Sequence, residues 1–136
     1  MRIRGPRKGA SAIEFALTVP FLFAVFSGIM EYGMVFFNQV GVINAVRDGA
    51  RIAVSADDTE AVSIAEARAL EVLDEFGLTC DTGCSVAAVL GTAAGGYDTL
   101  TVTAEVPYEV LFGLIPTPDN LTGSIVMRYE SLDFGS

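Results

Sequence analysis

Residues 15–37, FALTVPFLFAVFSGIMEYGMVFF, form an apolar run that contains one charge, Glu31. As a helix rising about 1.5 Å per residue, the run reaches roughly 34 Å, enough to cross a hydrocarbon core of about 30 Å. Pro20 lies inside it; it lacks an N–H and crowds the carbonyl of Ala16, which predicts a kink. The helical period continues beyond the polar pair Asn38-Gln39, with Val40, Ile43, Val46 and Ala50 on one face. The pattern predicts one long helix from about residue 12 to 54, with Gly41 and Gly49 as its weak points.

Ser55, Asp57 and Asp58 are N-cap candidates for a second helix over 59–76. Val62, Ala65, Ala69, Leu73 and Phe76 give it an apolar face, joined by Leu70, and Gly77 is placed to end it as the C′ residue. Three β-type runs follow at 85–90, 99–106 and 124–131. The middle one alternates, with Leu100, Val102, Ala104 and Val106 on one face and Thr99, Thr101, Thr103 and Glu105 on the other. Between the last two lies PYEVLFGLIPTPD, residues 107–119, apolar and with three prolines. Such a loop packs over the sheet, lies at the membrane surface or meets a partner. The fold class is therefore α+β: a long N-terminal transmembrane helix over 10–37, a second amphipathic helix and a small antiparallel β-sheet head. The head spans 38–136, helical over 38–76 and stranded over 85–131.

Charge orients this plan. Arg2, Arg4, Arg7 and Lys8 precede the apolar run, while only Arg47 and Arg51 follow it closely, so the N-terminus belongs in the cytoplasm and the head outside. A core helix is the poorer reading, because little chain remains to bury it on every side. A cleaved secretory signal is poorer too, since the run is longer than the usual 7–15 residues and no small-x-small site follows it. Of 17 acidic and 8 basic residues, all the acids and only four of the bases lie beyond residue 9. No basic stripe is available for phosphates, so nucleic acid is excluded as a partner of the head. Membrane lipid is the partner that the span implies.

Little in the chain supports catalysis. There is no His, which removes the commonest general base and metal ligand. No nucleophile–base pair, glycine-rich phosphate loop or metal cluster is visible, so neither an enzyme nor a cofactor is expected. Cys80 and Cys84 flank Asp-Thr-Gly. In an extracytoplasmic head a disulfide is their default state, and two cysteines without His make a poor zinc site. Asp-Thr-Gly also occurs in aspartic proteases, but no second copy is present to complete a carboxylate pair.

Glu14 is the other acid near the bilayer, and its register is informative. The basic leader ends in Gly9, Ala10 follows, Glu14 is the fifth residue after the glycine, and Phe15 opens the apolar run. This resembles the processing site of class III (type IV) prepilins, which a membrane aspartyl peptidase cuts after the glycine. Residues 1–9 are then a leader, and Ala10 presents a new α-amino group. In the resemblance Glu14 meets the amine of a neighbouring subunit when helices bundle. A carboxylate near mid-bilayer is costly unless paired, about 2.5–3.5 kcal/mol on insertion scales. The plainer reading is that Glu14 marks the interface.

The stretch Gly9 to Val54 is similar to TadE-like proteins of the tight-adherence pilus system. The features that carry it are Gly9-Ala10 with Glu14-Phe15, Pro20, Gly28 with Glu31-Tyr32-Gly33, and Ala45 with Arg47-Asp48-Gly49-Ala50-Arg51. The later VTAEVPY and IVMRYES resemble that family's closing strands; Asn44-Ala45-Val46 departs from two alanines before the Arg. The resemblance implies a minor pilin or pseudopilin in the bacterial inner membrane. Its partners are prepilin peptidase, other pilins or pseudopilins and the pilus assembly platform, and it oligomerises through the N-terminal helix. Glu31 is expected either at the interface or paired with a basic residue of a neighbouring helix. Arg47 and Arg51 are expected as a solvated face, as contacts to lipid headgroups or in a salt bridge between subunits. The rival is an uncleaved, single-pass, membrane-anchored binding module of the cell envelope.

Overall fold

The computed structural model describes residues 8–129. The expected leader up to residue 7 and the last two residues of the expected third strand lie outside them. Helix α1 runs unbroken from Lys8 to Ala53, helix α2 from Asp58 to Glu75. Strands β1 (Ser85–Thr92), β2 (Asp98–Pro107) and β3 (Asn120–Arg128) form one antiparallel sheet in the order β1-β2-β3. The α+β architecture is thus as the sequence predicts. The two helices and the sheet enclose one core around the upper part of α1.

Local chemistry accounts for the boundaries. Asp57 takes extended backbone angles as the N-cap of α2, with Asp58 and Glu60 in the first turn, where the helix dipole favours negative charge. Gly77 follows with φ 75°, and the Leu78 N–H returns to the Leu73 carbonyl, closing the helix as a glycine in the left-handed region allows. The β1–β2 hairpin turns at Gly96, also at positive φ, with the Ala93 N–H donating to the Tyr97 carbonyl. The strictly alternating strand became β2, in the centre of the sheet: Leu100, Val102, Ala104 and Val106 are all buried. β3 starts four residues earlier than predicted. Leu121 and Gly123 point inward, and Gly123 lies so close to α1 that a Cβ there would stand 3.0 Å from Val42 Cγ1.

The buried face of α1 is only partly the predicted one: Val46 and Ala50 are buried as expected, but the face is turned. Val40 is exposed and Ile43 only half-buried, whereas Val42, Ala45, Val46, Gly49, Ala50 and Ala53 face inward. On α2, Ala61, Ala65, Ala69, Val72 and Leu73 are buried and Leu70 faces solvent. The two helices meet along small residues, which lets their backbones approach closely. Gly49 is the tightest point, and the expected weakness there is instead a requirement of the packing. Arg68 on α2 donates through Nε to Asp48 on α1 at 2.7 Å and through Nη1 to Glu71 at 2.7 Å. Glu66 on α2 accepts the Ala88 N–H of β1 at 3.0 Å, covering part of an edge strand. Cys80 and Cys84 form a disulfide between α2 and β1.

Tyr129, just past β3, is buried and donates to the Ala56 carbonyl at 2.6 Å, tying the sheet to the α1–α2 connection. Burial, and then the neighbouring Asp58, push its hydroxyl from 10.0 up to about 12. The neutral form is the one the fold holds, so its contribution is intact below pH 10 and is lost as pH rises from 10 toward 12. Alkaline titration of unfolding should therefore show a steeper loss of stability over that window in the native chain than in Tyr129→Phe. Parallel slopes in the two would remove Tyr129 as the cause.

Candidate membrane and assembly site

The lower part of α1 touches nothing else among the described residues. Every residue from Ser11 to Phe26 is exposed, and Phe15, Leu17 and Phe21 are each more than 70% accessible. The helix is long and apolar enough to cross a membrane, with a mean hydropathy of 1.9 in its most apolar window. Side chains of this kind left uncovered along four turns mark a surface meant for lipid or for another helix. Glu14 stands on this bare segment, exposed, with no hydrogen-bond or ion-pair partner among the described residues; only its backbone carbonyl is used, accepting the Thr18 hydroxyl at 2.8 Å. Gly9 and Ala10 lie in the first turn of α1, so Gly9 and Glu14 are carried on one continuous helix.

Glu31 has a different setting. Ser27, Glu31 and Val35 form a buried stripe at successive turns of α1, and Glu31 is 0% exposed. What covers it is the β2–β3 loop. The Leu111 N–H donates to Oε1 at 2.9 Å and the Phe112 N–H to Oε2 at 2.7 Å. The buried Tyr108 hydroxyl donates to Oε1 at 2.9 Å. Both carboxylate oxygens are thus occupied by the chain's own donors. A neighbouring-helix base or a lipid headgroup, the expected contacts, have no place in this arrangement. The same loop is held at two further points: the Tyr32 hydroxyl donates to the Pro116 carbonyl at 3.2 Å, and Ile115 lies over Gly28. The base of the loop is closed by the Tyr108 N–H donating to the Asp119 carbonyl at 2.9 Å.

Sequence reasoning missed Tyr108, Leu111 and Phe112. A signal was present: an isolated acid in an apolar helix needs donors, and the chain offers an uncharged loop with Gly113, which takes φ 67° and lets the loop curl. Arg47 and Arg51 are exposed on the upper part of α1, one turn apart. They line an open groove of about 530 Å³ with Asn44, Ile125 and Met127, and among the described residues neither forms an ion pair, while Asp48 is engaged by Arg68. The structure does not bring Glu14, Glu31 and the two arginines together; they are strung along one helix. Among the described residues no three His, Cys, Asp or Glu side chains gather to hold a metal ion.

Comparison with known proteins adds one match. Residues 9–51 fit the family model described as TadE-like protein. No curated protein and no solved structure matches the chain. The matched segment is about a third of the sequence and is α1 nearly end to end, from the glycine at its foot to Arg51 beside the groove. By that helix the chain is similar to the TadE-like family.

Proposed function

We propose that this protein is a minor pilin or pseudopilin that takes part in assembling tight-adherence pili for surface attachment. In this reading it is inserted in the bacterial inner membrane with residues 1–9 in the cytoplasm, residues 10–37 in the bilayer and the head, 38–136, outside. A prepilin peptidase removes the leader after Gly9. The single observation that carries the reading is the state of Glu14: an exposed carboxylate, unpartnered among the described residues, on a bare apolar helix, five residues beyond a glycine that ends a basic leader.

The chemistry follows from charge. Before cleavage the four cations hold the N-terminus at the cytosolic face. After cleavage Ala10 carries an α-amino group, and Glu14 lies one turn along the same helix. A carboxylate on a lipid-facing surface is stabilised by an opposite charge, and the amine of an adjacent subunit supplies one as helices associate laterally. The role is structural, with other pilins or pseudopilins and the assembly platform as partners, and it calls for no cofactor. The disulfide suits an oxidising compartment outside the membrane. Glu31 takes no part in subunit pairing here, being satisfied within its own chain.

The test is the mature N-terminus, read by intact mass and N-terminal peptide mapping from native membranes. A chain starting at Ala10, with the full-length form accumulating in Gly9→Ala, is the expected result. A chain that keeps residues 1–9 in both would leave an anchored binding module that is never processed. A Glu14→Gln variant that is still cleaved but fails to join other pilins in crosslinking would place Glu14 in assembly; undiminished crosslinking would remove it.

A further inference from the structure

The β2–β3 loop has an uncommon composition for a surface loop. From Val110 to Pro118 it carries no charge, and Glu109 and Asp119 stand at its two ends. Val110, Leu111, Phe112 and Leu114 are 41–58% exposed. They lie beside the turns of α1 around Gly28 and Tyr32, at the level where Ile29 and Met30 are exposed on other sides of the helix, so the loop and the helix present apolar side chains at the same height. Height along the helix fixes the level. At a rise of about 1.5 Å per residue, Gly28 stands roughly 26 Å and Tyr32 roughly 32 Å above Ser11, straddling the far edge of a hydrocarbon core about 30 Å thick.

Irregular backbone is normally kept out of that zone, because its N–H groups lose water without gaining partners. Here the carboxylate of Glu31 receives the Leu111 and Phe112 N–H groups and the Tyr108 hydroxyl. The acid that looked out of place in an apolar helix is the acceptor that makes an apolar loop tip tolerable next to lipid. We propose that residues 110–116 are a second membrane-contacting element, dipping into the outer boundary of the bilayer that α1 crosses. This rests on α1 being a membrane span. No cation lies on the loop, so its attachment is apolar and does not require anionic lipid.

The chain contains no Trp, so single Trp residues report cleanly on position. Full-length Phe112→Trp is reconstituted into phosphatidylcholine vesicles beside Phe21→Trp, in mid-span, and Val126→Trp, exposed on β3. Quenching is read with iodide in the water and with lipids brominated on the acyl chain near the headgroup. Phe112→Trp should be quenched by the brominated lipid and be at least about fivefold less sensitive to iodide than Val126→Trp, as expected for an interfacial apolar side chain. Iodide quenching equal to that of Val126→Trp, with Phe21→Trp still quenched by lipid, would overturn the loop assignment and leave the span intact. Shielding of Phe112→Trp from both quenchers would also overturn it, by showing that protein covers the tip. Failure of brominated lipid to quench Phe21→Trp would remove the span itself, and this inference with it.

Discussion

Gly49→Ala should unfold the head about 4–8 °C below the native chain, the shift of a net loss near 1 kcal/mol and large for so small a change. A Cβ built at Gly49 would stand 2.6 Å from the Ala65 carbonyl oxygen and 3.2 Å from Ala69 Cβ. The first of these is backbone and cannot swing aside, so α2 must move bodily off α1. Overpacking of this kind costs about 1–3 kcal/mol, and the helix propensity gained by Ala, about 1 kcal/mol, offsets only part of it because the shifted helix also opens the alanine seam. Gly41 is the control. A Cβ there meets the Phe76 side chain at 3.0–3.2 Å; the ring of this half-buried residue just past α2 can turn away, and its Cβ, at 3.2 Å, need give only a few tenths of an ångström at the frayed helix end. Gly41→Ala should therefore be nearly neutral, since the propensity gain roughly balances a small displacement. Thermal unfolding of the full chain in detergent, followed by circular dichroism, ranks the two. Equal shifts would mean that the close approach of the helices is not what Gly49 provides.

Removing the Glu31 carboxylate should free the β2–β3 loop while leaving the sheet in place. In Glu31→Ala the Leu111 and Phe112 N–H groups lose their acceptor at once, and the Tyr108 hydroxyl is left with only the backbone carbonyl of residue 31, at 3.3 Å. Hydrogen bonds to a charged acceptor are among the stronger ones, and the loss of one shifts a local opening equilibrium about ten- to a hundredfold. Amide exchange at Leu111 and Phe112 should rise by at least that factor, with little change at the central strand positions Val102 and Ala104. Glu31→Gln should fall between, because an amide keeps one acceptor oxygen but turns an NH₂ toward a donor. Tyr108→Phe removes one donor only and should have the smallest effect on the two amides. Unchanged exchange in Glu31→Ala would mean that Pro116, Ile115 and the loop base hold the segment without the carboxylate.

These two sites also show where reading the sequence succeeds and where it stops. The long helix, the second helix and the central strand were legible because each has a period that a chain can express locally. β2 is the plainest case: four inward residues alternate with four outward ones, and all four inward residues are buried. Which face of α1 turns inward was only partly legible: Val46 and Ala50 are buried as expected, but the rest of the face selects for small size rather than for apolar bulk. Val40 is larger and more hydrophobic than Gly49 or Ala45, yet it is the one left exposed. The setting of Glu31 was hidden for another reason. Its partners lie 77–81 residues away in a loop, and hydrogen bonds from backbone N–H groups leave no side-chain signature. The reading of Glu14 rests on spacing alone, on Gly9 and Phe15 beside it, and not on any distant contact.

The continuity of α1 has a mechanical consequence. Helix residues 27–53 are clasped by the loop, the sheet and α2, and the same helix runs on downward through Pro20 to Gly9 with no intervening linker. A pull applied at the foot of the helix therefore reaches the head directly, as along the shaft of a nail, and there is no slack to take up before the head moves. The first yielding point on that shaft is Pro20, seven residues below the clasp, where the ring has removed one rung of the hydrogen-bond ladder. Bending there tilts the lower end without twisting the head, so the direction of the load and the orientation of the head are set by different parts of one rod.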